Sequence, residues 1–155
     1  MTTLEVRRVR QSDPDAARLV AELTYEYTSR YGPRGAEEMQ RPADVFEPPH
    51  GQFLLLVEAG EAVAGGAFKR YDEETAELKR IWTHSQHRRK GLARRVVEEL
   101  EKEARAFGYR QVYLTTGPRQ PEAKALYLAT GYTPLFDVDA DPLSIGPLAF
   151  RKAID

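Results

Sequence analysis

The chain has no cysteine. That excludes disulfides, thiolate metal sites and a cysteine nucleophile. It also lacks an excess of either charge: 23 Lys and Arg stand against 24 Asp and Glu, a formal net charge of −1. No global field draws such a chain to nucleic acid or to an anionic membrane. No apolar run approaches the length of a membrane span. The opening Met-Thr-Thr-Leu-Glu-Val-Arg-Arg has no apolar core of signal-peptide length. The expected location is cytoplasmic, with neither membrane nor nucleic acid as partner. Histidine is scarce too: His50 is isolated, and His84 and His87 read as surface residues without metal-ligand spacing, so no metal site is expected.

At 155 residues, 41% of them hydrophobic, residues 1–155 are expected to form one domain that buries roughly two-thirds of its unfolded surface. Leu4 to Arg10 alternates as a short strand. Ser12-Asp13-Pro14 starts a helix, with Ala16, Leu19, Val20, Leu23 and Tyr27 at helical spacing until Tyr31-Gly32-Pro33. Residues 34–50 read as an irregular flap over a pocket, with one helical turn at Ala36 to Gln40. Tyr25, Tyr27, Arg30, Tyr31 and Arg34 lie beside it, either lining that pocket or serving as core tyrosines and a basic edge. Phe53 to Glu58, Ala62 to Arg70 and Thr75 to Thr83 form an antiparallel meander, with Gly65-Gly66 marking a bulge or a close backbone approach.

A helix follows from about Gly91 to Phe107. Its buried stripe is Leu92, Val96, Leu100, Ala104 and Phe107, and Glu98–Lys102 and Glu101–Arg105 are spaced as i,i+4 pairs. Gln111 to Thr115 is a strand. Pro121 opens a helix carrying Ala125, Leu126 and Leu128, and two strands, Tyr132 to Phe136 and Gly146 to Lys152, close the chain. The order predicts an α+β fold: a mixed sheet with helices on its faces.

Between the meander and the long helix lies Gln86-His-Arg-Arg-Lys-Gly-Leu-Ala93. Arg88, Gly91 and Ala93 fit the spacing Arg/Gln-x-x-Gly-x-Gly/Ala. The first turn of a helix has N–H groups without intrahelical partners and carries partial positive charge. Small residues let an anion approach that backbone, and Arg88, Arg89 and Lys90 add cations. The stretch suits a pyrophosphate, although a basic loop before a helix also reads as solvated surface. A nucleotide or RNA module is disfavoured, because the loop lacks a Walker-type Gly-Lys-Ser/Thr and no aromatic-basic platform accompanies it.

Two segments resemble the GNAT family of acetyl-CoA-dependent N-acetyltransferases. One is Glu77-Leu-Lys-Arg-Ile-Trp-Thr83 through Arg88-Arg-Lys-Gly-Leu-Ala93. The other is Ala123-Lys-Ala-Leu-Tyr-Leu-Ala-Thr-Gly-Tyr132, similar to A-x-x-x-Y-x-x-x-G-F/Y. The resemblance implies a GNAT-like acyl-CoA N-acyltransferase fold, in which two central parallel strands splay and acetyl-CoA enters the gap. It implies that the backbone of Arg88, Arg89, Lys90, Gly91, Leu92 and Ala93 holds the pyrophosphate. Ile81, Trp82 and Thr83 would pair with the pantetheine arm and polarise the thioester carbonyl. Gln120, where the family often has asparagine, would lie beside the pantetheine. Ala93 and Thr83 also depart from the commoner residues.

An amine must be neutral to attack a thioester, and an alkyl ammonium has a pKa near ~10, so a base is needed. Glu77 has two readings: that base, or a sheet glutamate paired with Lys79 or Arg80. Tyr127, matching the family's tyrosine near the sulfur, reads as the proton donor to the leaving thiolate or as a core tyrosine. The expected activity is transfer of acetyl from acetyl-CoA to an amine of a small molecule or peptide by direct attack. The second reading is a non-catalytic acyl-CoA-binding sensor. The resemblance also allows a homodimer.

Overall fold

The structure, a computed structural model, describes residues 3–155. Seven strands form one sheet: β1 (Leu4–Val9), β2 (Gln52–Glu58), β3 (Glu61–Arg70), β4 (Thr75–Thr83), β5 (Gln111–Thr116), β6 (Thr133–Pro134) and β7 (Leu148–Ala153). Their order is β1-β2-β3-β4-β5-β7-β6. All pairings are antiparallel except β4 with β5. The helices are α1 (Ala17–Tyr31), α2 (Pro33–Gln40), α3 (Leu92–Ala106), α4 (Pro121–Ala129) and the short α5 (Pro142–Ile145).

Alternation along β2 explains the layering. Phe53, Leu55 and Val57 pack with Leu19 and Leu23 of α1 and Met39 of α2. Leu54 and Leu56 face the other way, into a core with Val96, Val97 and Leu100 of α3 and Tyr127 of α4. Both faces of β2 are therefore buried, which is why its sequence reads as a continuous apolar run. Gly66 lies where α3 comes closest: a Cβ there would sit 2.8 Å from Ile81 Cδ1 and 3.0 Å from both Leu100 and Val96.

The parallel pair positions the site. β4 and β5 are in register only at Thr75–Gln111, Ala76–Val112 and Glu77–Tyr113. Beyond these residues the strands part, as the resemblance implied. β4 also bulges. Ala67 pairs with Lys79 and Gly65 with Trp82, leaving an extra residue on β4, and Arg80 takes a left-handed φ of 63°.

Several expectations are corrected. The flap holds a full helix, α2, because Pro33 occupies the first helical turn rather than ending one. In α4 the inward residues are Ala123, Leu126 and Tyr127; Leu128 is exposed and Ala125 is exposed. The last two strands are shorter than expected, with α5 between them. In α3, Glu101 is buried and bonds Tyr132 Oη at 2.8 Å and Lys152 Nζ at 3.1 Å instead of Arg105. Glu98 pairs with Arg94, one turn before it, rather than with Lys102.

Candidate active site

A cavity of about 1060 Å³ opens where β4 and β5 diverge. Its walls come from both faces of the sheet: Tyr27, Tyr31 and Glu38 from α1 and α2, and Ala123, Leu126 and Tyr127 from α4. The part of β4 beyond Glu77 lines it, from Leu78 to Thr83. One edge of that segment is held by β3. Among the described residues, the other edge has no strand partner. An open strand edge inside a cavity offers main-chain hydrogen bonds to an extended ligand.

One end of the cavity is the basic loop. Arg88, Arg89, Gly91, Leu92 and Ala93 line it. Lys90 does not; its Nζ turns to His87 Nδ1 at 3.2 Å. Gly91 is the N-cap of α3, with φ 74° and no side-chain cap, so the first N–H groups of α3 remain available. Arg89 also has a left-handed φ, 65°. Arg88, Arg89 and Lys90 are exposed. Among the described residues none of the three is paired with a carboxylate. N–H groups without intrahelical partners, a helix dipole and cations without carboxylate partners suit this end to an anion.

The turn before the loop is anchored. Glu22 of α1 accepts from Trp82 Nε1 at 3.0 Å, Ser85 N at 2.9 Å and Ser85 Oγ at 2.8 Å. His84 is buried, not on the surface as expected. Its Nδ1 accepts from Gln86 N at 3.0 Å, and its Nε2 lies 3.2 Å from Glu61. His87 Nε2 lies 3.9 Å from the same carboxylate, so Glu61, His84 and His87 form a cluster that their sequence spacing did not suggest. Both Nδ1 atoms face donors, which places the ring protons on Nε2, toward Glu61. Ligation through Nε2 would require both rings to change tautomer against those donors. The His84–Glu61 contact ties the start of the loop to β3.

The α1/α2 side of the cavity carries Glu26, Arg30, Tyr31, Arg34 and Glu38, with Lys79 of β4. Of the tyrosines flagged beside the flap, Tyr27 and Tyr31 line the cavity, and Tyr25 is exposed. Tyr31 and Gln120 tie α1 to the β5–α4 loop. Gln120 Oε1 accepts from Gly117 N at 3.0 Å and from Tyr31 Oη at 3.3 Å, while Tyr31 Oη accepts from Arg119 N at 3.2 Å. Gln120 spends its carbonyl oxygen on the loop, and its amide N–H groups stay outside these bonds. Arg30 adds bonds to Arg119 O at 3.0 Å and Glu122 at 2.9 Å. No local pattern announces this latch, because its partners are far apart in the chain.

Tyr127 is 4% exposed and packs edge-on against Tyr132. Burial pushes its hydroxyl far above the usual tyrosine value, so it is a neutral donor. Among the described residues it has no hydrogen-bond partner. Glu77 stands apart from this group. It lies in the paired part of β4 and does not line the cavity. Its carboxylate sits 3.8 Å from Lys69 and 3.6 Å from Lys79. Of its two readings, this placement fits the lysine-paired sheet glutamate. The carboxylates that line the cavity are Glu26, Glu38 and Glu122.

Comparison with known proteins agrees with this geometry. The chain is 35% identical over 102 residues to the uncharacterised N-acetyltransferase YsnE of Bacillus subtilis, covering 63% of this chain and 68% of that one. It shares the fold of a Klebsiella pneumoniae acyl-CoA N-acyltransferase structure at TM-score 0.75 and 25% identity, over 100% of this chain and 99% of that one. The fold of the PaiA N-acetyltransferase of Thermoplasma acidophilum, solved in complex with coenzyme A, matches at TM-score 0.73 and 16% identity, over 97% and 99% of the two chains. Residues 17–132 match the acetyltransferase (GNAT) family, and with the splayed strands, basic loop and buried tyrosine in place, this chain belongs to that family as a GNAT-type acetyltransferase.

Proposed function

We propose that the cavity binds acetyl-CoA from the loop end and an amine from the α1/α2 end, within a single domain acting in the cytoplasm. The observation that carries this reading is the free edge of β4 beyond Glu77, which runs from the anion site toward Tyr127. In this arrangement the N–H groups of Arg88 to Ala93 hold the pyrophosphate. The pantetheine arm adds to β4 at Ile81 to Thr83 as an extra strand, flanked by Gln120. A backbone N–H at the β4 bulge meets the thioester oxygen and stabilises the oxyanion as the amine attacks. A thiol has a pKa of ~8.5 and a tyrosine ~10, so proton donation from Tyr127 to the departing thiolate is close to balanced before burial is counted.

The acceptor end mixes Glu26 and Glu38 with Arg30, Arg34 and Lys79. It suits a polar amine rather than a purely apolar one. Titration calorimetry with acetyl-CoA, CoA and ADP tests the cofactor: micromolar acetyl-CoA binding, tighter than ADP, is expected, and binding of neither CoA species would remove the reading. A panel of amines, read by release of free CoA thiol, then identifies the acceptor. Acetyl-CoA binding with no amine-dependent thiol release would favour an acyl-CoA sensor instead.

A further inference from the structure

The lining of the cavity is unevenly charged. Arginine and lysine outnumber carboxylates there, in a chain whose formal net charge is −1. Each carboxylate of the lining already has a cationic partner. Glu122 Oε1 lies 2.9 Å from Arg30 Nη1, and Glu26 Oε1 lies 3.5 Å from Arg30 Nη2. Glu38 Oε1 is shared by Lys79 and Arg80, each at 3.4 Å, and its Oε2 lies 3.5 Å from Arg41. A cationic ligand would therefore find no unpaired carboxylate in the lining.

The cations are not all matched in this way. Arg34, in the first turn of α2, lines the cavity and is exposed. Among the described residues its guanidinium has neither an ion pair nor a hydrogen bond. Arg88 and Arg89 are unpaired too, but they belong to the loop that suits the pyrophosphate. Arg119 of the β5–α4 loop lines the cavity without an ion pair, and it immediately precedes Gln120, the residue assigned to the pantetheine arm. Arg34 sits elsewhere: α2 packs with α1 on the sheet face opposite α3. Cofactor binding gives it no role.

We infer, resting on the acetyl-transfer reading of the cavity, that the acceptor is an amine that also bears a carboxylate, and that Arg34 selects it. A guanidinium presents a planar fork of N–H donors that matches a carboxylate. An amine with a second ammonium instead brings like charge into a lining already rich in cations. The same surplus acts on the reacting nitrogen. Neighbouring cations disfavour an ammonium, and the amine must lose that proton before it attacks the thioester. Binding through the carboxylate thus holds the substrate by its anion and leaves its nitrogen in a field that favours the neutral form.

The test uses acetyl-CoA and matched amines on one carbon skeleton, read by release of free CoA thiol, with rates expressed per neutral amine. β-Alanine, propylamine and diaminopropane make one set; phenylalanine and phenethylamine make another. The acid should have the highest kcat/KM in any set that is acetylated. Arg34→Gln should raise KM for that acid about ten- to hundredfold, with kcat and acetyl-CoA affinity unchanged. Arg34→Lys should keep part of the affinity, since the charge remains without the fork, and Arg34→Glu should turn the preference toward the diamine. Arg34 is exposed and unpaired, so none of these variants should lower Tm. Acids used no better than their carboxylate-free partners, or a wild-type KM in Arg34→Gln, overturns the inference while the enzyme reading stands. A rise in KM that appears in Arg119→Gln and not in Arg34→Gln does the same. A wild type that binds acetyl-CoA but acetylates no amine overturns the underlying reading, and the acceptor class with it.

Discussion

Lys79 and Arg80 are consecutive in β4, yet both side chains end on Glu38 Oε1, each at 3.4 Å. In a regular strand, neighbouring side chains point to opposite faces. The left-handed φ at Arg80 and the register slip against β3 remove that alternation. The bulge thus does two things at once. It turns two cations toward α2, and it redirects the backbone of β4 where the strand lines the cavity. Arg80 Nη2 also bonds Glu38 O at 3.0 Å, so α2 is pinned by both side chain and main chain.

Glu38→Gln tests the pin. Arg80 has only 2% of its side chain exposed and would lose its charged partner, whereas Lys79 keeps Glu77. Leaving a buried cation without its carboxylate is costly, and with Glu38 partly exposed we expect about 2 kcal/mol of lost stability. For a chain of this size that lowers Tm by about 4–8 °C, measurable by calorimetry. An unchanged Tm would mean that the bulge holds itself.

Acid sensitivity follows from two carboxylates. Burial pushes Glu22 up, but the bonds from Ser85 and Trp82 outweigh it and hold the group below its ordinary value. Burial likewise raises Glu38, and Lys79, Arg41 and Arg80 together overcome it. A lowered folded pKa gives stability that is complete above the unfolded value of ~4.3 and is lost as pH falls through the folded one. Urea melts should therefore lose stability from about pH 5 downward. Glu22→Gln should be less stable than wild type at pH 7, with the gap narrowing toward pH 3. A constant gap would show that Glu22 is not ionised in the fold.

Gly91 separates backbone strain from charge at the anion site. A Cβ added there would meet no atom within 4 Å, so the substitution meets no clash at Cβ, only the left-handed φ. That strain costs about 1–2 kcal/mol for most residues and less for asparagine. Gly91→Asn should bind acetyl-CoA nearly as wild type does. Gly91→Glu adds a like charge beside the phosphates, and its Kd should rise at least about tenfold, equivalent to 1.4 kcal/mol. Equal binding by both variants in titration calorimetry would place the pyrophosphate elsewhere.

Local features of the fold were legible in the sequence, and long-range ones were not. The limits of β4, Thr75–Thr83, follow from the charged turn before it and the basic loop after it. The loop is announced by its spacing, and Tyr127 by the resemblance of its segment to the family's. Pro33 and Gly35 look like loop punctuation, although a proline in the first helical turn is equally a helix start. The burial of His84, the pairing of Glu101 with Lys152 and the Tyr31–Gln120 latch each join distant segments. No period in the sequence records them. Where β4 leaves β5, which sets Glu77 outside the cavity lining, is likewise a property of the assembled sheet.

Glu77→Gln decides that last point. The substitution keeps the shape of a side chain held between Lys69 and Lys79 and removes its charge. Both lysines are partly solvated, at 34% and 24% side-chain exposure, so the pair is worth less than about 1 kcal/mol. With the carboxylate outside the cavity, kcat should stay within about twofold of wild type, since the factor of 10² or more expected of a true general base is absent. The pH–rate profile should also keep its shape. Its rise should track the pKa of the acceptor amine and move when an amine of different basicity replaces it. A large loss of kcat with the rise abolished would mean that a water chain connects Glu77 to the amine from beneath the splay. The base would then be the sheet glutamate after all.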